Sequence, residues 1–351
     1  MFFGGKKIVA VDIGTSSIKL AEMDGGRKGW TLKKFGVVTL SPGWVKDGEI
    51  LEPQSVAEAL KTLVSSVKCK RKNVATGIFG NGVIVKRISM APIEENLIAE
   101  AIKWEAEQYI PFDISEAAID YHIIGKENRN PSDNLDIILV GAKQEFVFRF
   151  IETIESANLK CSILDVSGFA LANCFEANYG KPEGMTAILN IGAGITNLVI
   201  VEKGEVIFSR DSMVGGSTYT NELHKAMGVS IPEAESLKIS ASVGQEVPPE
   251  VNSVISSTTE QVVDEIRNAF EFFIATGGGG RVNRIYVTGG SIFIPKLVEE
   301  ISSAIGVAFE VLNPFQQVTY DEKALTADYI QQIQSISPVA IGLAMRDMKE
   351  V

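Results

Sequence analysis

The chain predicts an α/β fold built from two duplicated lobes, with a smaller subdomain inserted into the first. The stretches Val11-Asp12-Ile13-Gly14-Thr15-Ser16-Ser17 and Leu189-Asn190-Ile191-Gly192-Ala193-Gly194-Ile195-Thr196 share one pattern. Each is an apolar strand meeting one polar carboxylate-type residue, then a glycine and small residues. Each continues into a second apolar run, Ile18 to Met23 and Leu198 to Val201, so each reads as strand, tight turn, strand. Residues from about 88 to 163 read as an insertion between the two copies. One such hairpin alone is an ordinary glycine turn. The pair, with a polar residue at the same offset, points to a shared ligand. Glycine lets the backbone approach a ligand closely, and successive exposed amides form a concave anion site. Two of these turns facing each other would hold a polyphosphate.

In chain order, residues 7–40 read as a three-stranded meander whose third strand is Trp30 to Leu40. Ser55 to Val67 has helical periodicity at Val56, Leu60, Leu63 and Val67. Val74 to Phe79 and Val83 to Ser89 read as strands. The insertion carries a helix from Leu97 to Tyr109, strands Ala117 to Gly125 and Asp136 to Ala142, and a helix from Lys143 to Ala157. Residues 184–212 repeat the meander, and 218–275 are mostly helical. Arg284 to Ser291 is a strand ending in Gly289-Gly290-Ser291, bare enough to pass a flat ligand. A helix follows from Lys296 to Ile305, with Pro295 suited to its first turn. Val339 to Met348 reads as a core-packed terminal helix. The loops Asn128 to Asn134 and Val243 to Pro249 are expected to be mobile. Gly277 to Gly280 lacks the Lys-Ser/Thr of a P-loop and reads as a flexible helix end.

Composition agrees with this reading. The 351 residues suffice for two domains or more, and 45% hydrophobic residues provide ample core. A net charge of −11 without a dense Lys/Arg patch argues against a nucleic-acid surface. Cys69, Cys161 and Cys174 lack metal-ligand spacing and read as reduced, mostly buried thiols. His122 and His224 have no partner set in the sequence and read as structural. No apolar run approaches the roughly 18 residues that span a bilayer, and the N-terminus meets Asp12 too early for a signal peptide. The cytoplasm is the expected location.

The two hairpins, the Thr288-Gly289-Gly290-Ser291 strand end and the Ala234-Glu235-Ser236-Leu237-Lys238 helix, in this order, resemble the actin-like ATPase superfamily. That superfamily includes actin, the heat-shock chaperone ATPases, sugar kinases and FtsA. The resemblance implies two duplicated ribonuclease-H-like lobes. Met90-Ala91-Pro92, the run Lys103-Trp104-Glu105-Ala106-Glu107-Gln108-Tyr109-Ile110-Pro111-Phe112, and Asp120-Tyr121 narrow it to the PilM family of type IV pilus assembly. The opening Met1-Phe2-Phe3-Gly4-Gly5-Lys6-Lys7 and the helix from Glu265 to Phe273 also resemble that family, whose inserted subdomain is of the FtsA kind. The implied division is 1–87 with 164–183 and 338–351 as lobe I, and 88–163 as the insert. Lobe II would be 184–216 with 276–337, carrying 217–275 as a helical subdomain.

The resemblance implies ATP and Mg²⁺ as cofactors. Asp12 would hold Mg²⁺ through water, in keeping with magnesium's retention of its hydration shell. Gly14, Thr15, Ser16 and Ser17 would cradle phosphates. Lys19, seven beyond Asp12, is either a phosphate contact or a solvated strand lysine. Gly192, Gly194 and Thr196 would hold the β- and γ-phosphates, and Gly215, Gly216, Glu235, Lys238, Gly289, Gly290 and Ser291 would surround the nucleoside. Glu235 and Lys238 also have the spacing of a surface ion pair. Phe293 is either an adenine stacker or a core aromatic. Much of the superfamily has aspartate where this chain has Asn190, and an amide cannot act as a general base. Asp165 is a candidate acid near the γ-phosphate or, by its place before a helix, an N-cap. Positioned proton transfer is worth roughly 10²–10⁴-fold, so binding with weak or no turnover is expected.

As a partner the resemblance implies the cytoplasmic N-terminal segment of the inner-membrane protein PilN, held between the insert and the first lobe. This makes the chain peripheral to the membrane through PilN, in a machine that serves twitching motility. The pilus motor ATPase and platform protein are candidate further partners, and a homo-oligomer is a candidate assembly. Trp104 fits the insert's core, because Leu97, Ala101 and Trp104 keep helical spacing, while Pro111 and Phe112 are open between core and groove. The rival readings are an FtsA-like division scaffold or filament, and a small-molecule kinase.

Overall fold

The computed structural model describes residues 7–26, 29–125, 133–276 and 280–346. The opening run 1–6, residues 128–132 of the expected first loop, glycines 277–279 and the end of the expected terminal helix lie outside the described residues.

The first lobe begins with β1 (Ile8–Ile13), β2 (Ser17–Gly26) and β3 (Gly29–Thr39), followed by the short pair β4 (Val45–Lys46) and β5 (Glu49–Ile50). It continues through α1 (Pro53–Ser66), which turns Val56, Leu60 and Leu63 inward, and β6 (Asn73–Ile78). The insert holds β7 (Val83–Met90), α2 (Ile98–Ala106), β8 (Ala117–Ile123) and β9 (Leu135–Lys143). Then come α3 (Gln144–Ser156), β10 (Lys160–Val166) and α4 (Ser167–Tyr179). The second lobe has β11 (Thr186–Ile191), β12 (Thr196–Glu202) and β13 (Glu205–Ser212), then α5 (Gly216–Met227), α6 (Ile231–Ser242) and α7 (Pro249–Ala275). It closes with β14 (Arg284–Thr288), α8 (Leu297–Ile305) and β15 (Phe309–Val311). After β16 (Thr319–Tyr320) and α9 (Ala327–Ile333), α10 (Pro338–Ala344) returns to the first lobe.

The duplication is visible in strand order. The first sheet contains β3-β2-β1-β6-β10 and the second is β13-β12-β11-β14-β15. In each, three antiparallel strands are extended by two parallel ones. β1 is buried at every position, as expected of a central strand covered on both faces. Between the lobes lie α4 and α10. Eight of α4's positions are buried, including Ala170, Leu171, Cys174 and Phe175, so the helix shows no polar stripe. Its backbone touches α10 directly: a Cβ on Gly342 would strike the carbonyl of Ala170.

Several expectations change here. The boundary expected at 88 falls inside β7, whose ladder with β9 runs from Val83 opposite Ala142 to Met90 opposite Leu135. α3, expected in the insert, buries Phe150 and Ile154 in the first lobe's core beside Leu60 and Leu63. The insert's own sheet, ordered β7-β9-β8, therefore spans 83–143. Trp104 is 67% exposed rather than core. The face that α2 buries is Ile98, Ile102 and Ala106, at strict i, i+4 spacing, and the Leu97–Trp104 stripe points outward. Pro295 lies outside α8; Lys296 caps that helix in a left-handed conformation. His122 has a partner, Glu205 on β13, at 2.8 Å.

Candidate functional site

The turns after β1 and β11 face each other across one cleft of about 580 Å³. Both close in the same way. Gly14 N donates to Ser17 O at 3.0 Å and Gly192 N to Ile195 O at 2.9 Å. The amides of Thr15, Ser16, Ala193 and Gly194 then donate to no backbone carbonyl among the described residues, which is the donor set of an anion-binding nest. The two turns nearly touch: a Cβ on Gly194 would lie 2.7 Å from Thr15 Oγ1. Only a glycine fits between them.

Strand register places the polar pairs behind these turns. Asp12 stands opposite Lys19 in β1–β2, and Lys19 Nζ lies 3.4 Å from Asp12 Oδ2. Asn190 stands opposite Asn197 in β11–β12, and Asn190 Nδ2 donates to Asn197 Oδ1 at 2.8 Å. Here the chain of bonds continues. Asn197 Nδ2 donates to Asp211 Oδ1 at 2.7 Å, and Asp211 Oδ2 accepts from Gly80 N at 2.6 Å. Burial pushes the Asp211 carboxyl up from its ordinary range, against the pull of those two hydrogen bonds.

At the far end of the cleft, Lys238 is almost fully buried. Its Nζ donates to Glu235 Oε2 at 2.6 Å, Thr220 Oγ1 at 3.0 Å and Gly216 O at 3.2 Å. Glu235 and Lys238 are thus part of the cleft wall rather than a pair on open surface. Ser291 Oγ donates to Gly192 O at 2.8 Å and ties this wall to the second turn. Gly289 has φ +101°, and a Cβ there would overlap the carbonyl of Ile191. Phe293 is 58% exposed and lines the cleft, so it is no core aromatic; with the exposed Ile239 and Val243 it forms an apolar mouth.

Most of the expected site residues line this one cleft: Asp12, Gly14, Thr15, Ser16, Ser17, Lys19, Asn190, Gly192, Gly194, Glu235, Lys238, Gly289, Gly290, Ser291 and Phe293. Four do not. Thr196 is buried, its hydroxyl spent on Val214 O at 2.8 Å. Gly215 and Gly216 bring the start of α5 against the second turn, with Gly216 N donating to Gly192 O at 3.0 Å. Asp165 is neither an acid in the cleft nor an N-cap. It ends β10, and Arg346 grips it from Nε to Oδ2 at 2.6 Å and from Nη2 to Oδ1 at 2.9 Å. Val166 is the cap residue of α4.

Three further features of the cleft lie outside the expected set. Asn197 was legible in the sequence: it follows Asn190 by the same seven residues that separate Lys19 from Asp12. Ser167, the first residue of α4, is among the residues lining the cleft, and its buried hydroxyl, set against Gly77 of β6, has no hydrogen-bond partner among the described residues. Nothing local marks it, because its place depends on a strand crossing. The apolar pair Ile239 and Val243 is i, i+4 on α6 and the turn after it, a spacing shared with any helix face.

The family described as type IV pilus assembly protein PilM matches residues 10–348. The chain belongs to that family. The solved PilM–PilN type IV pilus biogenesis complex is similar over 97% of this chain and 98% of its own, at 26% identity and a TM-score of 0.87. The ethanolamine utilization protein EutJ of Carboxydothermus hydrogenoformans shares the fold, at 17% identity and TM-score 0.57, covering 96% of this chain and 88% of its own. Cell division protein FtsA of Streptococcus pneumoniae is 24% identical over 359 residues, 87% of this chain and 75% of that protein. Family and neighbours agree with the duplicated strand order: this is the actin-like ATPase fold, in a type IV pilus assembly protein. No helix among the described residues is long and apolar enough to cross a membrane.

Proposed function

We propose that the chain is a nucleotide-binding adaptor of the pilus assembly machine, holding Mg-ATP between its lobes and the cytoplasmic N-terminal segment of PilN on its insert. The observation that carries the nucleotide half is the pair of facing turns, whose free amides, with Lys19, Lys238 and Ser167 lining the same cleft, suit a polyphosphate. Magnesium would neutralise phosphate charge there, held through its waters by Asp12 and Asn190. The open mouth formed by Phe293, Ile239 and Val243 offers an apolar slot for a base.

Turnover is expected to be slow. Among the described cleft residues, each carboxylate is already paired with a lysine, Asp12 with Lys19 and Glu235 with Lys238. Asn190 supplies no base, and Asp165 is held elsewhere by Arg346. A positioned base is worth roughly 10²–10⁴-fold in rate. The same lack speaks against a small-molecule kinase.

For the partner, a groove of about 620 Å³ runs between α3 and the start of β8, lined by Ser115, Glu116, Gln144, Phe148, Arg149 and Glu152. β8 is an edge strand of the insert sheet, and Phe148 is 55% exposed beside it. Extended peptides bind such places by strand addition plus side-chain pockets. The test is a titration with the PilN N-terminal peptide, with and without Mg-ATP, on the parent and on Phe148→Ala. The expected result is saturable binding, weakened about tenfold by Phe148→Ala, an anchor-sized loss. Absence of binding in both nucleotide states would overturn the adaptor reading.

A further inference from the structure

The bonds behind Asn190 have a direction, and that direction follows from one residue. Asp211 receives hydrogen bonds on both carboxylate oxygens, from Asn197 Nδ2 and from the backbone amide of Gly80. An ionised carboxylate can only accept. Asn197 must therefore present its NH₂ to Asp211 and its carbonyl oxygen to Asn190. Asn190 in turn must spend its NH₂ on Asn197. What remains of Asn190 on the cleft side is its carbonyl oxygen, an acceptor without charge.

We infer that Asp211, although absent from the cleft wall, is the positioning residue that makes Asn190 an acceptor toward the water shell of a nucleotide-bound divalent cation. The inference rests on the nucleotide reading above and adds how the second turn is tuned. A side-chain amide by itself has no preferred polarity, because its oxygen and nitrogen ends have the same shape. With a donor end toward the cleft, Asn190 would oppose hydrogens of cation-bound water. The relay removes that choice. Gly80, which fixes its far end, lies between β6 and β7, so the polarity of the second turn is anchored in the first lobe.

Asp211→Asn is nearly isosteric and reverses the chain. Its Oδ1 still accepts from Gly80 N, so its NH₂ faces Asn197. Asn197 then turns its carbonyl oxygen to residue 211 and its NH₂ to Asn190, and Asn190 presents NH₂ to the cleft. Adding Asn197→Asp restores an acceptor in the middle, which accepts from both neighbours and returns the carbonyl oxygen of Asn190 to the cleft. The experiment measures affinity for a fluorescent ATP analogue in Mg²⁺ and in EDTA, for the parent, Asp211→Asn, and the double variant Asn197→Asp with Asp211→Asn. The expected result is a loss of about tenfold in the Mg²⁺-dependent gain for the single variant. EDTA affinity should be unchanged, and the double variant should regain the lost factor. A purely structural role would lower both affinities together and show no rescue, which would overturn the inference. So would an undiminished Mg²⁺ gain in Asp211→Asn. If the parent itself bound no nucleotide, the nucleotide reading would fall first.

Discussion

Two strand pairs of identical topology stand behind the two turns of this cleft, and they end differently. In the first lobe the opposed positions are Asp12 and Lys19, a carboxylate and an ammonium at 3.4 Å. In the second they are Asn190 and Asn197, two amides. The next position across the meander is Val37 in the first lobe and Asp211 in the second. The first pair is therefore closed within itself, while the second extends by one more strand to find its charge. Duplication preserved the backbone geometry and the glycine turns. It left a charged pair behind the first turn and a neutral one behind the second, which agrees with the slow turnover proposed above.

The largest expected effect comes from making the two sides alike. Asp12→Asn removes the only carboxylate among Asp12, Asn190 and Asn197, and leaves Lys19 largely buried without its partner. Charged hydrogen bonds contribute about 1.5–3 kcal/mol, so Mg-ATP affinity should fall about 100-fold while the fold persists. Equilibrium titration of the variant, with its melting curve as control, decides this. Retention of parental affinity would mean that the asymmetry has no bearing on the nucleotide.

The reverse change, Asn190→Asp, gives both lobes a carboxylate at the turn. The new side chain cannot donate to Asn197 Oδ1. Asn197 must turn to satisfy it, and its carbonyl oxygen then opposes the carboxylate of Asp211. That leaves a mismatched polar contact costing about 2 kcal/mol, visible as a lower midpoint in denaturant unfolding. Adding Asp211→Asn should recover most of the loss. Full stability of the single variant would show that the amides are not ordered by Asp211.

The backbone half of this comparison was legible in the sequence, and the side-chain half was only partly so. Repeated glycine turns and apolar runs are local signals, and they marked both meanders, the helical subdomain and the two turns, while the family resemblance supplied the rest of the fifteen site positions that line one cleft. What the sequence concealed depends on register or on crossing chains. Thr196 sits in the second turn's motif, yet its hydroxyl is spent on Val214 because the strand pleat turns it away. Asp165 precedes a helix like an N-cap, yet Arg346, 181 residues away, claims it. Trp104 keeps helical spacing with Leu97, but the insert sheet selects the parallel stripe of Ile98, Ile102 and Ala106. Asp211 carries no motif at all. Only its place opposite Asn197, one strand further across, gives it a role.

The two sheets also differ at their matching parallel edges, and this gives the smallest expected effect. β10 carries Cys161, whose thiol burial pushes up to about 11, whereas β15, its counterpart, carries no thiol. In the unfolded chain a cysteine ionises near pH 8.5–9. Below that pH the thiol is neutral in both states and contributes nothing to the pH dependence. As pH rises from about 9 to 11, the unfolded chain releases a proton that the folded one retains, so stability falls across that window. At pH 10 the expected loss is about 1.5 kcal/mol. Denaturant unfolding of the parent and Cys161→Ala at pH 8 and pH 10 should show a steeper decline in the parent by that amount. Equal declines would place the alkaline sensitivity elsewhere, with the Cys174 thiol of α4, which full burial pushes up further still, next in order.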